Sequence, residues 1–295
     1  MPLESRFLTV DGVRMHFVES GRGDPAVLLL HGVPASAHLW RNVIPSIAPH
    51  ARTVAIDLVG LGRSDQPLDR SYDLPSFARF LDGAVKALGL ERFVLAGMDL
   101  GLLVGQHWAL ANPDRVRGLV LLEGFIAPVG LQMATFPALN RFFMRLMRVR
   151  ALAERAIVKS ADAAGPFLAS GVVKPLAAAD LAVYRECFRD PQVRRKVWLE
   201  GIGPYTLRPR SEQPGDLTDL VDQNAAKLAA SALPKLLLYG EPGAAVTAPM
   251  RAWARQHLTN LELVPVGPGK HFLPEDQPEA VGRAIAEFCR RLAKA

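Results

Sequence analysis

The sequence predicts an α/β protein: a mostly parallel, eight-stranded-type sheet with helices on both faces and a helical block inserted after the sixth strand. Three observations predict it. From Arg6 to Leu122 short apolar runs alternate with helix-like segments, the pattern of a parallel sheet covered on both sides. From about Pro128 to Gly215 the short runs stop, and helical segments broken by Gly and Pro take over. Past that block the strand–helix alternation resumes.

Taken in order, Arg6–Val10 and Arg14–Val18 are strand-like and meet around Asp11-Gly12, a hairpin signature. Ala26–Leu30 and Thr53–Ile56 are apolar runs suited to buried strands. Leu74–Leu88 has helical spacing and stops at Gly89. Phe93–Ala96 is a strand, Leu100–Ala111 a helix ended by Asn112-Pro113, and Val116–Leu122 a strand again. After the helical block come strand Lys235–Tyr239, helix Pro249–His257, strand Leu261–Val266 and helix Pro278–Leu292. The organisation expected is one core built from 1–127 and 216–295, with 128–215 as a cap. Such a cap would lie over the carboxyl ends of the strands, where open α/β sheets bind ligands.

Composition narrows the function classes. With 295 residues, 49% of them hydrophobic and 22% charged, the chain can bury a large core. Cys187 and Cys289 belong to no CxxC or Cys/His array, so neither a disulfide framework nor a zinc site is expected, and a reducing cytoplasm fits. Met1–Arg6 lacks a signal-peptide pattern, and the uncharged stretch Gly124–Asn140 is too short and too broken by Pro128 and Pro137 to span a membrane. The net charge of +6 is mostly arginine, with much of it between Arg141 and Arg155 and at Arg194 and Arg195, beside Lys196. No aromatic interleaving accompanies them, so they read as solvated helix faces and not as a nucleic-acid surface.

The chemistry is carried by Gly97-Met98-Asp99-Leu100-Gly101, between a strand and a helix. This is Gly-x-nucleophile-x-Gly with an aspartate in the nucleophile slot; no Gly-x-Ser-x-Gly occurs. The bland alternative for Asp99 is a helix N-cap. Its context favours the nucleophile. His31-Gly32-Val33-Pro34 follows the strand Ala26–Leu30, and the Val33 and Leu100 backbone N–H groups can form an oxyanion hole. His271, in the loop after the last strand, is the candidate general base. Its orienting acid is Glu123, at the end of Val116–Leu122, with Glu241 as the fallback; the other usual acid position holds Gly243. His31, His38 and Trp40 are placed at the pocket mouth. His107 reads as packed, and His16, His50 and His257 as surface residues.

These strings resemble the haloalkane dehalogenase and epoxide hydrolase branch of the α/β-hydrolases. They are His31-Gly32-Val33-Pro34 with Leu39-Trp40-Arg41, Asp57-Leu58-Val59-Gly60-Leu61-Gly62-Arg63-Ser64-Asp65, Asp99-Leu100-Gly101, Leu122-Glu123-Gly124-Phe125 and Gly267-Pro268-Gly269-Lys270-His271-Phe272. Glu123 and Tyr184-Arg185-Glu186 look most like the dehalogenase subgroup with its acid after the sixth strand. The resemblance implies a cofactor-free hydrolase in which Asp99 forms a covalent ester that His271-activated water cleaves.

Two positions depart from the dehalogenase pattern. Leu100 stands where the branch carries a halide-binding tryptophan, and Val33 where it often carries asparagine; neither side chain can donate a hydrogen bond. Tyr184, Tyr205 and Trp198 are the cap candidates for stabilising a leaving group, each with core packing as its alternative. Phe136, Leu139, Phe142, Phe143, Leu146 and Met147 make the same stretch apolar, through packing or substrate contact. The reading is therefore a hydrolase acting on a small hydrophobic electrophile, an epoxide or strained lactone first and a haloalkane second. A hydrolase-like scaffold for binding or rearrangement is the rival from another class. Oligomeric state stays open.

Overall fold

The computed structural model describes residues 3–136, 138–147, 149–202 and 217–294. Eight strands form one sheet: β1 Glu4–Val10, β2 Val13–Ser20, β3 Ala26–Leu30, β4 Thr53–Ile56, β5 Phe93–Met98, β6 Val116–Leu122, β7 Lys235–Pro242 and β8 Leu261–Gly269. Their order across the sheet is β1-β2-β4-β3-β5-β6-β7-β8. Antiparallel pairing joins β1 to β2 and β2 to β4, and every other neighbouring pair is parallel.

The strand sequences explain this order. All six residues of β5 are buried, as are all of β4, four of the five in β3 and six of the seven in β6. Such runs suit central strands covered on both faces. The edge strand β1 is exposed along most of its length. The short helix α1 spans Ile44–Ile47 and packs on the C-terminal helix Pro278–Leu292, whereas α2 spans Leu74–Ala87 and packs on the helix that follows β5. Asp73 caps α2 by accepting the Ser76 N–H at 2.8 Å, and Leu74, Phe77, Phe80, Leu81, Ala84 and Val85 bury one face. Helix α3, Asp99–Ala111, is buried on nearly all sides through Leu100, Leu102, Leu103, Val104 and Trp108.

Chain direction positions the site. From β3 the chain passes to β4 on one side; from β5 it passes to β6 on the other. The loops leaving β3 and β5 therefore diverge and open a crevice at the carboxyl ends of these two strands. Val33 lies in the first loop and Asp99 at the end of β5.

Strands β7 and β8 run three residues further than the sequence patterns indicate. A register shift at Tyr239/Gly240 absorbs an extra residue, and pairing continues through Gly240–Gly267, Glu241–Pro268 and Pro242–Gly269. The glycines and prolines there punctuate a strand instead of ending it.

Between β6 and β7 the described regular structure is helical: Val129–Thr135, Ala138–Leu146, Arg150–Ala153, Gly165–Ser170, Ala178–Cys187, Pro191–Arg194 and Leu217–Ala230, with wider-wound segments at Glu154–Val158 and Arg195–Ile202. The apolar stretch at its start divides in three. Phe136 lies 6.3 Å from the Phe125 ring, Phe142 and Leu146 are exposed, and Met147 packs with Ala153 and Ile157. The side chains of Leu139 and Phe143 lie outside those described. Phe142 and Leu146 thus leave much of their surface to solvent, an orientation that helical spacing alone does not set. Among the described residues no helix is long and apolar enough to cross a membrane, and no His/Cys/Asp/Glu group could hold a metal ion.

Candidate active site

Strand β5 runs directly into α3, and Asp99 makes the corner. Met98 is extended, whereas Asp99 has φ of 51°. A non-glycine residue in that region costs about 1–3 kcal/mol and persists only where its surroundings hold it. Part of that hold is the Asp99 N–H donating to the Glu123 carbonyl at 3.1 Å, and Glu123 has itself a positive φ of 28°. The flanking glycines serve close approach. A Cβ on Gly101 would fall 2.4 Å from the His31 carbonyl oxygen, and one on Gly32 would fall 2.3 Å from the Asp99 Cβ.

The Asp99 side chain is 31% exposed and does not point into the core. Its Oδ1 accepts the Val33 N–H at 2.9 Å, and its Oδ2 lies 3.6 Å from His271 Nε2. Leu100 follows in the first turn of α3, where backbone N–H groups have no intrahelical acceptor.

The Val33 amide is aimed from behind. His31 is fully buried, its Nδ1–H donates to the Gly32 carbonyl at 2.8 Å, and its Nε2 accepts the Leu58 N–H at 3.0 Å. This pairing assigns the neutral ring with its proton on Nδ1. Burial also pushes the His31 pKa down, against the opposing pull of Asp57. With the Gly32 carbonyl held on one side, the trans Gly32–Val33 peptide presents its N–H on the other, toward Asp99. His31 therefore lies beneath the site and not at its mouth.

His271 stands between two aromatic edges, Phe167 at 5.6 Å and Phe272 at 4.9 Å between ring centroids. Glu123, completely buried, sends its Oε2 across to the loop after β7, where it accepts the N–H groups of Ala244 at 3.0 Å and Ala245 at 2.7 Å. Burial pushes its carboxyl above the usual range, and the strongest opposing influence is His271. A Cβ on Gly243 would lie 3.2 Å from Glu123 Oε1, so the carboxylate fills the space that a side chain from that loop would need. Glu241 is exposed and pairs with Arg251 at 2.9 Å. The geometry thus brings Asp99, His271 and Val33 together, with Glu123 electrostatically linked to His271 and Glu241 away from them.

Other expected residues are placed differently. Trp40 is fully buried in the core and does not reach a pocket mouth. His38 is partly exposed, but its Nε2 is engaged by Asp180 at 2.7 Å. Tyr184 is fully buried, and its hydroxyl donates to Glu275, which also receives two hydrogen bonds from Arg41 at 2.6 and 3.0 Å. That hydroxyl is committed to a carboxylate and cannot serve a leaving group at Asp99. Trp198 packs edge-on against Phe167 and Phe188. Tyr205 lies outside the described residues. His107 is half-buried and bonded to Asn224 at 3.0 Å. His50 and His257 are exposed, but His16 is buried: its Nδ1–H donates to Asp57 at 2.7 Å and its Nε2 accepts from Ser5 at 3.0 Å. Its partners come from β1 and from the loop after β4, and no local pattern announces them.

Sequence reasoning also passed over Gln132 and Phe167. Gln132 is fully buried, accepts the Ile126 N–H at 2.9 Å and donates to the Gly124 carbonyl at 2.7 Å. It stitches the turn that follows Glu123. The available signal was a lone amide in an apolar stretch. Phe167, against the imidazole, carried none.

A strained aspartate corner, a nearby imidazole and a backbone donor, all at the carboxyl edge of this sheet, fit the α/β-hydrolase fold. Residues 25–278 match the family described as alpha/beta hydrolase fold, and the chain belongs to that family, in its haloalkane dehalogenase branch. A haloalkane dehalogenase of Sphingobium indicum is 34% identical over 99% of this chain and 97% of the relative. One of Bradyrhizobium diazoefficiens is 34% identical over 96% and 93%. Among solved structures, haloalkane dehalogenase DbeA from Bradyrhizobium elkani gives a TM-score of 0.90 at 33% identity, over 99% of both chains. DatA from Agrobacterium tumefaciens gives 0.86 at 29% identity, over 98% and 97%. The protein is a hydrolase. The relatives favour the haloalkane over the epoxide or lactone, reversing the order drawn from the sequence.

Proposed function

We propose that the protein hydrolyses carbon–halogen bonds of small hydrophobic haloalkanes through an ester on Asp99. The observation that carries the proposal is the Asp99 carboxylate itself, with one oxygen held by the Val33 amide and the other turned to His271. Asp99 Oδ2 attacks the sp3 carbon and halide departs, leaving an alkyl ester. His271 then takes a proton from water, and the oxygen of that water attacks the Asp99 carboxyl carbon. Charge develops on Oδ1, where the Val33 N–H already points, with the Leu100 N–H as the second donor; removing one such donor costs about 3–4 kcal/mol in comparable sites. Collapse frees the alcohol and restores the carboxylate. Glu123, buried and electrostatically coupled to His271, stabilises the imidazolium formed on the way. Residues 128–215 act as the cap, and Phe167 brings that block against His271.

Leu100 and Val33 support a second reading. An epoxide or strained lactone keeps its leaving oxygen attached and needs no halide donors. Among the described residues, Trp198, joined to His271 through the Phe167 ring, is the remaining candidate donor for either leaving group.

A panel of bromoalkanes, epoxides and β-lactones, read as halide release beside diol or hydroxyacid formation, separates the readings. Halide release from bromoalkanes is expected, with a gain of about 10-fold or more in Leu100→Trp, since a hydrogen bond to a charged group is worth about 1.5–3 kcal/mol. Ring opening without halide release would overturn the haloalkane assignment.

A further inference from the structure

We propose that Asp276 is a positioning residue that couples the cap to the second half of the reaction, holding the His271 loop against cap residues Gly171–Val173. The inference rests on the reading of Asp99 and His271 given above. Asp276 ends the short helix Leu273–Asp276, directly after the His271 loop. Its two carboxylate oxygens are divided between two parts of the molecule. Oδ2 accepts the Lys270 N–H at 2.8 Å, next to the base, and Oδ1 accepts the Val173 N–H at 2.7 Å, beyond the helix Gly165–Ser170.

On the other side of the base, the Phe272 N–H donates to the Gly171 carbonyl at 2.9 Å. The fit there is close, because a Cβ on Gly171 would fall 2.7 Å from the Phe272 ring. Lys270 Nζ adds a contact to the Ser170 carbonyl at 3.3 Å, and Phe167 packs on the imidazole. Both residues flanking His271 are thus tied to one short stretch of the cap, and Asp276 bridges the Lys270 backbone to it beside the Lys270 Nζ contact. A carboxylate suits this place because it accepts from two amides at once; asparagine keeps a single carbonyl oxygen, and its NH2 would face the other N–H.

The two half-reactions depend on this clamp unequally. Ester formation uses Asp99, which is placed by the β5–α3 corner and by Val33. Ester hydrolysis also needs His271 in register with the Asp99 carboxyl carbon. Loosening the clamp therefore slows hydrolysis and leaves alkylation alone. In a two-step covalent mechanism, slower hydrolysis lowers kcat and KM by the same factor, so kcat/KM holds.

The test uses Asp276→Ala and Asp276→Asn with 1-bromobutane, combining steady-state kinetics with rapid-quench mass spectrometry of the peptide containing Asp99. We expect kcat to fall about 10-fold or more in Asp276→Ala, less in Asp276→Asn, with kcat/KM within about twofold of the parent and ester accumulating during turnover. A fall in kcat/KM as large as that in kcat, or an unchanged kcat, overturns the coupling. Asp276→Asn, which retains one of the two bonds, keeps the test decisive if the alanine variant folds poorly. His271→Phe run in parallel separates the two claims: ester there with none in the Asp276 variants counts against Asp276 alone, whereas ester in neither counts against the covalent reading.

Discussion

A His271→Phe variant given a bromoalkane turns over about 10²–10⁴-fold more slowly, the usual contribution of a general base, and accumulates alkyl ester on Asp99. Alkylation needs no base, because a carboxylate attacks carbon through an oxygen that carries no proton. A phenyl ring keeps the aromatic contacts of this place, where the imidazole lies near-perpendicular to Phe167 and Phe272 and is 13% exposed. Peptide mass spectrometry reads the result as the mass of the alkyl group on the peptide holding Asp99. Slow turnover with no adduct would mean that water, and not the carboxylate, attacks the substrate carbon.

Glu123→Gln has the next largest expected effect. The amide carbonyl can keep both hydrogen bonds from Ala244 and Ala245, so the fold is preserved. What disappears is a fully buried ionisable carboxyl whose strongest electrostatic partner is His271. Loss of the orienting carboxylate in a catalytic triad lowers kcat by up to about 10⁴-fold. A drop in kcat of about 10²–10⁴-fold is expected here, with thermal unfolding close to that of the parent. A variant with near-parental kcat would remove Glu123 from the mechanism and return attention to the loop after β7.

The parts of the site legible in the sequence are those fixed by local chain geometry. A Gly-x-Asp-x-Gly between a strand and a helix specifies a tight corner, because only a residue without Cβ lets α3 approach the end of β3 as Gly101 does. Glu123 was readable as the last residue of a strand pattern, and His271 as the histidine after the final strand. Position along the chain ranked Glu123 ahead of Glu241, but the contact that separates them, a carboxylate meeting the Ala244 and Ala245 amides across the sheet, has no local signature. The same limit explains His31, Trp40 and His16. Each is buried by partners distant in sequence, such as the Leu58 amide under His31. Tyr184 failed as a leaving-group donor for a related reason: helical spacing gives a face but does not say that Arg41 and Glu275 wait opposite it. Asp276 escaped notice because a carboxylate that ends a short helix resembles any other surface acid.

The central claim is that an Asp99 oxygen leaves in the product. The most direct measurement is a single turnover in H₂¹⁸O with enzyme in excess over bromoalkane, followed by mass analysis of the alcohol and of the Asp99 peptide. The account predicts unlabelled alcohol in the first turnover, with ¹⁸O appearing in the Asp99 carboxylate. Labelled alcohol together with an unlabelled Asp99 would contradict it.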